Sequence, residues 1–215
     1  MPFGTGSTAS AWAIKKTTRA AEQDRPDIKA ARIRWRRAQP GWDSQRLVFL
    51  DETGLNTKLA RLYGRCPRGQ RCVGAIPHGH WQTSTFIAAL RAERISAPFL
   101  IEGAINAEVF TVYLRQVLCP ELRVGDIVIL DNLSTHKTEG VAELISAQGA
   151  SVRYLPAYSP DLNPIEQAFA KLKAHLRQAA ARTLDELQYA LVKSLLTFSP
   201  AHCQGFFRHA RYASI

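Results

Sequence analysis

The chain has 215 residues, 46% of them hydrophobic and 21% charged, a composition that is ordinary for a folded globular protein. Its formal net charge of +10 is not ordinary, and it favours a polyanionic partner, nucleic acid ahead of a membrane surface. The four cysteines lack the spacing of a zinc site, and no apolar run approaches the roughly 18 residues that span a bilayer, so we expect a cytoplasmic protein with reduced thiols and no membrane partner.

The first 42 residues form a basic segment. They hold nine Lys or Arg against three Asp or Glu, a net charge of +6. Pro26 suits the start of a helix and Pro40 its end, so we predict a basic arm and linker helix over 1–42, followed by a second unit over 43–215. The basic face predicts contacts with DNA phosphates by Arg32, Arg36 and Arg37. A solvated helix face explains the same residues equally well.

Two continuous apolar runs predict central strands that end in aspartate. The run LVFL precedes Asp51, and the run IVIL precedes Asp131. The residues DETG, which begin at Asp51, are typical of a turn. Aspartate after a strand is a common turn former, so neither residue indicates catalysis by itself.

Between these runs the patterns predict a hairpin, two strands and a helix. The hairpin follows residue 57, and its turn is rich in Gly, Pro and Arg, with a basic cluster that comprises Arg65, Arg68 and Arg71. A solvated turn would explain this cluster as well as DNA contact would. The strands fall around residues 82–92 and 97–103, and Asn106 is placed to cap the helix that follows.

The rest of the chain alternates helix and strand. A helix from about 136 to 148 leads to a strand over 151–156 and then to a proline-rich connection. Asn163 is predicted to cap the next helix and Pro164 to begin it, with a buried stripe made of Ile165, Phe169, Leu172 and Leu176. A capping box predicts a last helix from Thr183. This order predicts an α/β fold, a mixed sheet with helices on both sides.

Three carboxylates can meet in such a fold. Adjacent central strands would bring Asp51 and Asp131 to one rim of the sheet, and the helix after Pro164 can carry Glu166 there. Carboxylates raise one another's pKa unless a cation joins them, and hard oxygen ligands suit Mg²⁺ or Mn²⁺. Two such ions activate phosphoryl transfer. Alternatively, Glu166 returns a capping hydrogen bond to Asn163, and Asp131 only introduces a helix.

The motifs FLDETG, ILDNLSTH and LPAYSPDLNPIEQAFAKLK resemble the three catalytic motifs of bacterial insertion-sequence transposases of the mariner-related DDE superfamily. Asp131 and Glu166 are separated by 34 residues, the spacing that this resemblance leads one to expect. The segment YGRCPRGQR, with tyrosine in place of tryptophan, also resembles a segment of the family. The resemblance runs from about Arg46 to the C-terminus.

The resemblance implies a ribonuclease-H-like fold in which Asp51, Asp131 and Glu166 hold two Mg²⁺ (or Mn²⁺) ions. It implies that water cuts double-stranded DNA at a transposon end, and that the freed 3′-hydroxyl then attacks target DNA, typically at a TA dinucleotide. A dimer or larger assembly on DNA, in the cytoplasm of a bacterium at its nucleoid, is expected with it.

Supporting roles are predicted around the three carboxylates. Asn132 and His136 are expected to orient a ligand or the scissile phosphate, or else to cap and pack. Glu52 is a spare ligand whose side chain points away from Asp51 if the strand continues. Lys173 and Arg177 lie near the Glu166 face of the helix, at i+7 and i+11, and are expected to contact DNA phosphates.

Only about 45 residues precede the first catalytic strand, which leaves no room for the helix-turn-helix region of a complete transposase of this type. We therefore expect the downstream frame of a two-frame element, joined to an upstream DNA-binding region, or a truncated remnant. Two other functions stay open: a non-catalytic DNA-binding or regulatory fragment, and a ribonuclease-H-like nuclease without strand transfer.

Overall fold

The fold is built on one five-stranded sheet. The structure is a computed structural model that describes residues 20–76, 80–132 and 140–212. The strand order is β3-β2-β1-β4-β5, with β1 antiparallel to β2, β2 antiparallel to β3, and the pairs β1–β4 and β4–β5 parallel. The strands are β1 (Leu47–Asn56), β2 (Thr83–Leu90), β3 (Ile95–Glu102), β4 (Ile127–Leu130) and β5 (Ser151–Tyr154).

Six α-helices surround the sheet in the described residues. They are α1 (Pro26–Ala38), α2 (Ala107–Tyr113), α3 (Val141–Ser146), α4 (Ile165–Ala179), α5 (Leu184–Leu195) and α6 (Pro200–His209). Across the described ranges, none of the helices is both long and apolar enough to cross a bilayer.

The alternation of side chains along β1 divides the core into two layers. Leu47 and Phe49 belong to the layer that contains the buried faces of α4, α5 and α6. Val48 and Leu50 belong to the opposite layer, with the buried residues of α2 and α3. The predicted mixed sheet with helices on both sides is confirmed, and so is the buried stripe of α4.

The predicted end of the first strand is wrong. β1 continues through Asp51 to Asn56, because its second half pairs with β2 from Phe49↔Leu90 to Asn56↔Thr83. This antiparallel ladder supplies the backbone hydrogen bonds that a turn at DETG would have broken. The predicted hairpin after residue 57 is also wrong: residues 58–76 contain no strand, and most of them are exposed.

Two predicted helix caps are confirmed. The Asn106 side chain accepts a hydrogen bond from the Val109 N–H at 2.8 Å. Thr183 and Glu186 form the predicted capping box at the start of α5. The predicted cap of α4 by the Asn163 side chain is wrong, and its amide has a different partner, described below.

Candidate active site

Asp51 and Asp131 are brought side by side by the parallel pairing of β1 with β4. The register joins Phe49 to Ile129, so that two residues further along each chain Asp51 is level with Asp131. Asp131 directly follows the last residue of β4, whereas Asp51 stands inside β1. The prediction that the two aspartates share one rim of the sheet therefore agrees with the strand register.

Glu166 reaches the same rim through the proline-rich connection. The chain leaves β5 at Tyr154, forms a short 3₁₀ turn over Pro160–Leu162 and enters α4 at Ile165. The Asn163 backbone carbonyl accepts the Glu166 N–H at 3.3 Å, so the backbone alone begins the helix. In the described part of the chain the Glu166 carboxylate makes no capping hydrogen bond, and the capping-box alternative for this residue is wrong.

Both oxygens of the Asp51 carboxylate are held by neighbouring donors. The Glu52 N–H donates to Oδ1 at 2.8 Å, and the Asn163 side-chain amide donates to Oδ2 at 2.8 Å. Asp51 and Asn163 are 8% and 5% exposed, so this contact lies in the interior wall of the site. Two donors on one carboxylate restrict its rotation.

The electrostatics show that these carboxylates act on one another. Burial raises the pKa of Asp51, and the negative charges of Glu166, Glu52 and Asp131 raise it further; the hydrogen bond from the Glu52 N–H acts against them, and the pKa of Asp51 stands at about 8. Loss of water from the carboxyl raises the pKa of Glu166 as well, Lys173 opposes the rise and Asp131 adds to it. A cluster of this kind favours protons or cations.

One cleft of about 570 Å³ is lined by all three carboxylates. The proline-rich connection forms one wall of this cleft, from Leu155 to Pro160, and Asn163 completes that wall. Asn132 and Glu52 also line the cleft. The pairing of β1 with β4 extends only from Leu47 to Phe49, so the β1 backbone at Glu52 has no partner strand on that side. The role of Glu52 as a spare ligand stays a prediction. His136 lies outside the described residues.

Lys173 and Arg177 follow Glu166 on α4. Burial lowers the pKa of Lys173, Arg177 lowers it further, and the charges of Glu166 and Asp51 oppose that fall. Lys173 is half-buried and interacts electrostatically with Glu166 and Asp51, whereas Arg177 is exposed. The two cations continue the basic face of α4 away from the cleft.

Helix α1 holds the proline-rich connection in place. The Arg32 guanidinium donates two hydrogen bonds to the Asp161 carboxylate, at 2.7 and 2.8 Å, and a third to the Ser159 hydroxyl at 2.7 Å. Arg36 adds a 3.0 Å ion pair to Asp161. The Arg32 side chain is only 12% exposed, so in place of the predicted phosphate contact we assign it to this anchor. Arg37 is exposed.

The C-terminal end of the described chain strengthens the same anchor. The Tyr212 hydroxyl accepts from the Trp35 indole N–H and donates to the Leu162 carbonyl, both at 2.7 Å. Gln39 donates to the Ala210 carbonyl at 2.9 Å. The predicted arm, from residue 20 onward, is thus packed on the predicted second unit, residues 43–215. The division of the chain at residue 42 stays a prediction.

A second basic cluster lies in the segment that follows β1. Arg65, Arg68 and Arg71 are all exposed, in a segment without regular secondary structure. Its DNA contact stays a prediction.

A second cavity, of about 510 Å³, is lined by residues of α4 and α5 and by Ala181 and Thr197, which follow them. Its carboxylate, Glu186, accepts hydrogen bonds from the backbone N–H groups of Arg182 and Thr183 and belongs to the capping box. The acidic cluster therefore distinguishes the first cleft from this one.

Three residues of the site were missed or misread from the sequence. Asn163 was assigned to helix capping, Asp161 was given no role, and Tyr158, a half-exposed residue that lines the cleft, was read as part of a loop. The signal for Asn163 was its place three residues before Glu166, where the same amide suits a cap or a carboxylate partner. The contacts of Asp161 with α1 join residues 125–129 positions apart, which no local pattern reports.

Most of the chain matches a known protein family. Residues 46–188 match the family model described as DDE superfamily endonuclease, a range that contains Asp51, Asp131 and Glu166. A search of curated proteins finds no significant match.

Solved structures of Mos1 transposase resemble the fold. A Mos1 paired-end complex with the left transposon end matches with a TM-score of 0.70 and 16% identity, over 96% of this chain and 64% of that one. A Mos1 mariner paired-end complex with Mn matches at 0.66 and 17%, over 96% and 64%, and the isolated catalytic domain of Mos1 mariner transposase at 0.64 and 15%, over 94% of each chain. This chain therefore spans less than two thirds of the Mos1 chains in the DNA complexes. The ribonuclease-H-like fold predicted from the sequence is confirmed.

Proposed function

The chain belongs to the DDE superfamily of endonucleases, and from that premise we propose that it carries the catalytic centre of a DNA transposase. The proposed reaction is hydrolysis of a phosphodiester at a transposon end, followed by attack of the freed 3′-hydroxyl on target DNA. The observation that supports it most is the meeting of Asp51, Asp131 and Glu166, from three separate elements, in one cleft.

The donor set fits divalent metal ions. Asp51 and Glu166 have raised pKa values because their carboxyls are partly dehydrated and face negative charge, which cations would offset. Among the described residues, no group of three His, Cys, Asp or Glu side chains is already arranged closely enough to enclose a metal ion. We propose that Asp51, Asp131 and Glu166 hold two Mg²⁺ or Mn²⁺ ions. Bound metal would supply charge stabilisation for the attacking and leaving oxygens.

The protein contributes orientation to this chemistry. Asn163 and the Glu52 N–H hold the two oxygens of Asp51, so that this carboxylate keeps a fixed orientation in the wall of the cleft. Glu166 sits in the first turn of the 15-residue helix α4, whose buried stripe packs on the sheet. Arg32 and Tyr212 hold the connection between β5 and that helix. Rigid support of this kind limits the loss of rate that misplaced groups cause.

DNA binding is assigned to the two cations that follow Glu166 on α4 and to exposed arginines elsewhere in the described chain. Lys173 and Arg177 are placed to meet a backbone that passes over Glu166, and Arg37 and the cluster Arg65, Arg68 and Arg71 extend the basic surface. Asn132 lines the cleft and is proposed to orient the scissile phosphate. His136 keeps the same proposed role, on the resemblance alone.

The wider setting is also proposed. The similar Mos1 structures are complexes with transposon ends, some with Mg or Mn, which supports DNA and metal as partners here. Assembly as a dimer or larger on DNA, an upstream DNA-binding region and a bacterial nucleoid location rest on the motif resemblance.

A cleavage assay tests the proposal. Purified protein is incubated with supercoiled plasmid, or with pre-cut transposon ends and target, in Mg²⁺, Mn²⁺ or EDTA. We expect metal-dependent nicking and joining that Asp131→Asn abolishes. The control is Glu186→Gln, which also turns a carboxylate into an amide but in the capping box of α5, and it should stay active.

The outcomes separate the open functions. Nicking without joining of pre-cut ends would favour a nuclease without strand transfer. Binding of DNA with no cleavage in any metal would contradict catalysis and favour a regulatory fragment.

A further inference from the structure

Tyr158 occupies an unusual position in the wall of the cleft. It lies in the proline-rich connection and lines the cleft together with the three carboxylates. The residue is 47% exposed, and its backbone has φ +54°, in the left-handed region. Residues other than glycine adopt this region at a cost in free energy, and the cost is greatest for bulky residues.

The strained backbone is held from both sides. Gln23 donates from its side-chain amide to the Tyr158 carbonyl at 2.6 Å. The next residue, Ser159, is buried, donates to the Ala157 carbonyl at 3.0 Å and accepts from Arg32. Strain that the surroundings maintain in this way is concentrated at functional sites.

The exposed ring is not explained by packing. The other non-glycine residues with positive φ in the described chain are Ala97, Ala180 and Arg211. Ala97 stands at the irregularity in the pairing of β2 with β3, Ala180 ends α4, and Arg211 directly follows the C-cap of α6, so a β-bulge and helix termination account for them. Tyr158 ends no helix, its ring stacks on no aromatic ring of the described residues, and glycine would meet the same backbone need without strain.

The position points to a ligand with a flat apolar face. An aromatic ring beside a site for phosphodiesters is the pattern by which proteins bind unpaired nucleotides, because every base has a face on which a ring can stack. A base inside duplex DNA has both faces covered by its neighbours. The ring could therefore contact only a terminal, frayed or single-stranded base.

We propose that Tyr158 is a stacking platform for an unpaired base next to the scissile phosphate. The proposal rests on the proposed function and adds to it a contact that holds the DNA end while the carboxylates act on its backbone. Stacking uses the ring alone, so the phenolic hydroxyl is dispensable.

The test measures DNA-end binding in Ca²⁺, with short duplexes that carry 2-aminopurine at an unpaired terminal position. Tyr158→Gly should weaken binding about 5- to 100-fold and abolish the quenching of 2-aminopurine, since each stacked base contributes substantially to affinity. Tyr158→Phe should behave like the wild type. The thermal midpoint of Tyr158→Gly should stay level or rise, because glycine relieves the positive φ.

Two controls make the result specific. On a duplex with an abasic site in place of the terminal base, wild type and Tyr158→Gly should bind alike. Tyr189→Ala removes another exposed tyrosine ring, near the second cavity, and should bind like the wild type. Equal loss on abasic and base-bearing ends, or loss in Tyr158→Phe, would overturn the stacking role. If the wild type neither binds nor cuts DNA, the proposed function itself fails, and the stacking role fails with it.

Discussion

The Asn163 side chain donates a 2.8 Å hydrogen bond to Oδ2 of Asp51 across 112 positions of sequence. It joins the β1 carboxylate to the residue that precedes the helix of Glu166. Hydrogen bonds to metal-binding carboxylates orient them, and their loss lowers metal affinity or activity. This contact is therefore a link between two of the proposed metal ligands.

Removal of this link should reduce activity. We expect Asn163→Ala to lower metal-dependent cleavage about 10- to 100-fold. Asn163→Asp should be worse, because a further negative charge beside Asp51 raises the pKa of that carboxyl again. The measurement is the rate of plasmid nicking against metal concentration. Asn106→Ala is the control: it loses the cap of α2 on the far face of the sheet, and its rate per folded molecule should stay unchanged. Full activity in Asn163→Ala would contradict the role.

The raised pKa of Asp51 predicts how stability depends on pH. In metal-free buffer its carboxyl stays protonated in the folded protein up to pH about 8, whereas the ordinary value is 3.8. Between pH 3.8 and about 8 the folded state therefore binds more protons than the unfolded state. The free energy of unfolding should consequently fall as the pH rises from about 4 to about 8. Asp51→Asn should remove much of this fall and should raise the thermal midpoint at pH 8.

Thermal unfolding at pH 5 and pH 8 in EDTA measures this effect. Added Mg²⁺ or Mn²⁺ at pH 8 should stabilise the wild type, by about 2.7 kcal/mol at 100 times the dissociation constant, and should leave Asp51→Asn nearly unchanged. The surface variant Asp185→Asn serves as the control and should follow the wild type. The same pH slope in wild type and Asp51→Asn would contradict the prediction.

The ion pair of Arg32 with Asp161 predicts a structural role for α1. Asp161→Asn leaves a mostly buried guanidinium without its carboxylate and should cost about 1–3 kcal/mol of unfolding free energy. Burial would raise the pKa of Asp161, but Arg32 and Arg36 outweigh it and hold that pKa below 3.8, so this contribution is present above about pH 4 and is lost in stronger acid.

Urea unfolding at pH 7 and pH 3 checks this prediction. Asp27→Asn, which breaks the exposed pair with Arg25, is the matched control and should leave the midpoint unchanged. Arg32→Ala should destabilise the protein without changing how DNA affinity depends on salt. A slope reduced by about 1 would instead return Arg32 to the role of a phosphate contact.

Arg177 should contribute to DNA binding alone. Because it is exposed and its charge lies along the face that Glu166 begins, Arg177→Ala should weaken binding to all sequences alike and should reduce the slope of log affinity against log salt by about 1. The measurement is a salt titration of DNA affinity by anisotropy. Arg115→Ala removes an exposed arginine next to α2, and an equal change in that variant would show that only net charge matters.

Local patterns were sufficient where the cause of a structure lies in neighbouring residues. The apolar runs of β1 and β4, the stripe of α4, the cap at Asn106 and the capping box at Thr183 follow from periodicity and side-chain chemistry within a few residues. Local patterns gave the wrong prediction where a residue far away in the sequence determines the local structure. β1 extends to Asn56 because β2 pairs with it, and Asn163 does not cap because Asp51 takes its amide.

The basic residues of α1 show the same limit. Their charge is evident from the sequence, but the pairing of Arg32 with Asp161 depends on how α1 docks. A carboxylate 129 residues away turns a predicted DNA contact into an internal anchor.

By itself, the sequence determined the types of the carboxylates, their order along the chain and the strands and helix that carry them, because these depend on short-range chemistry. Only the tertiary structure decided which groups surround each carboxylate and which cations form ion pairs within the protein. It also decided that Tyr158 lines the cleft in a strained backbone conformation. Those properties depend on contacts between residues far apart in the chain, whose free energies are settled only when the sheet pairs and the helices pack on it.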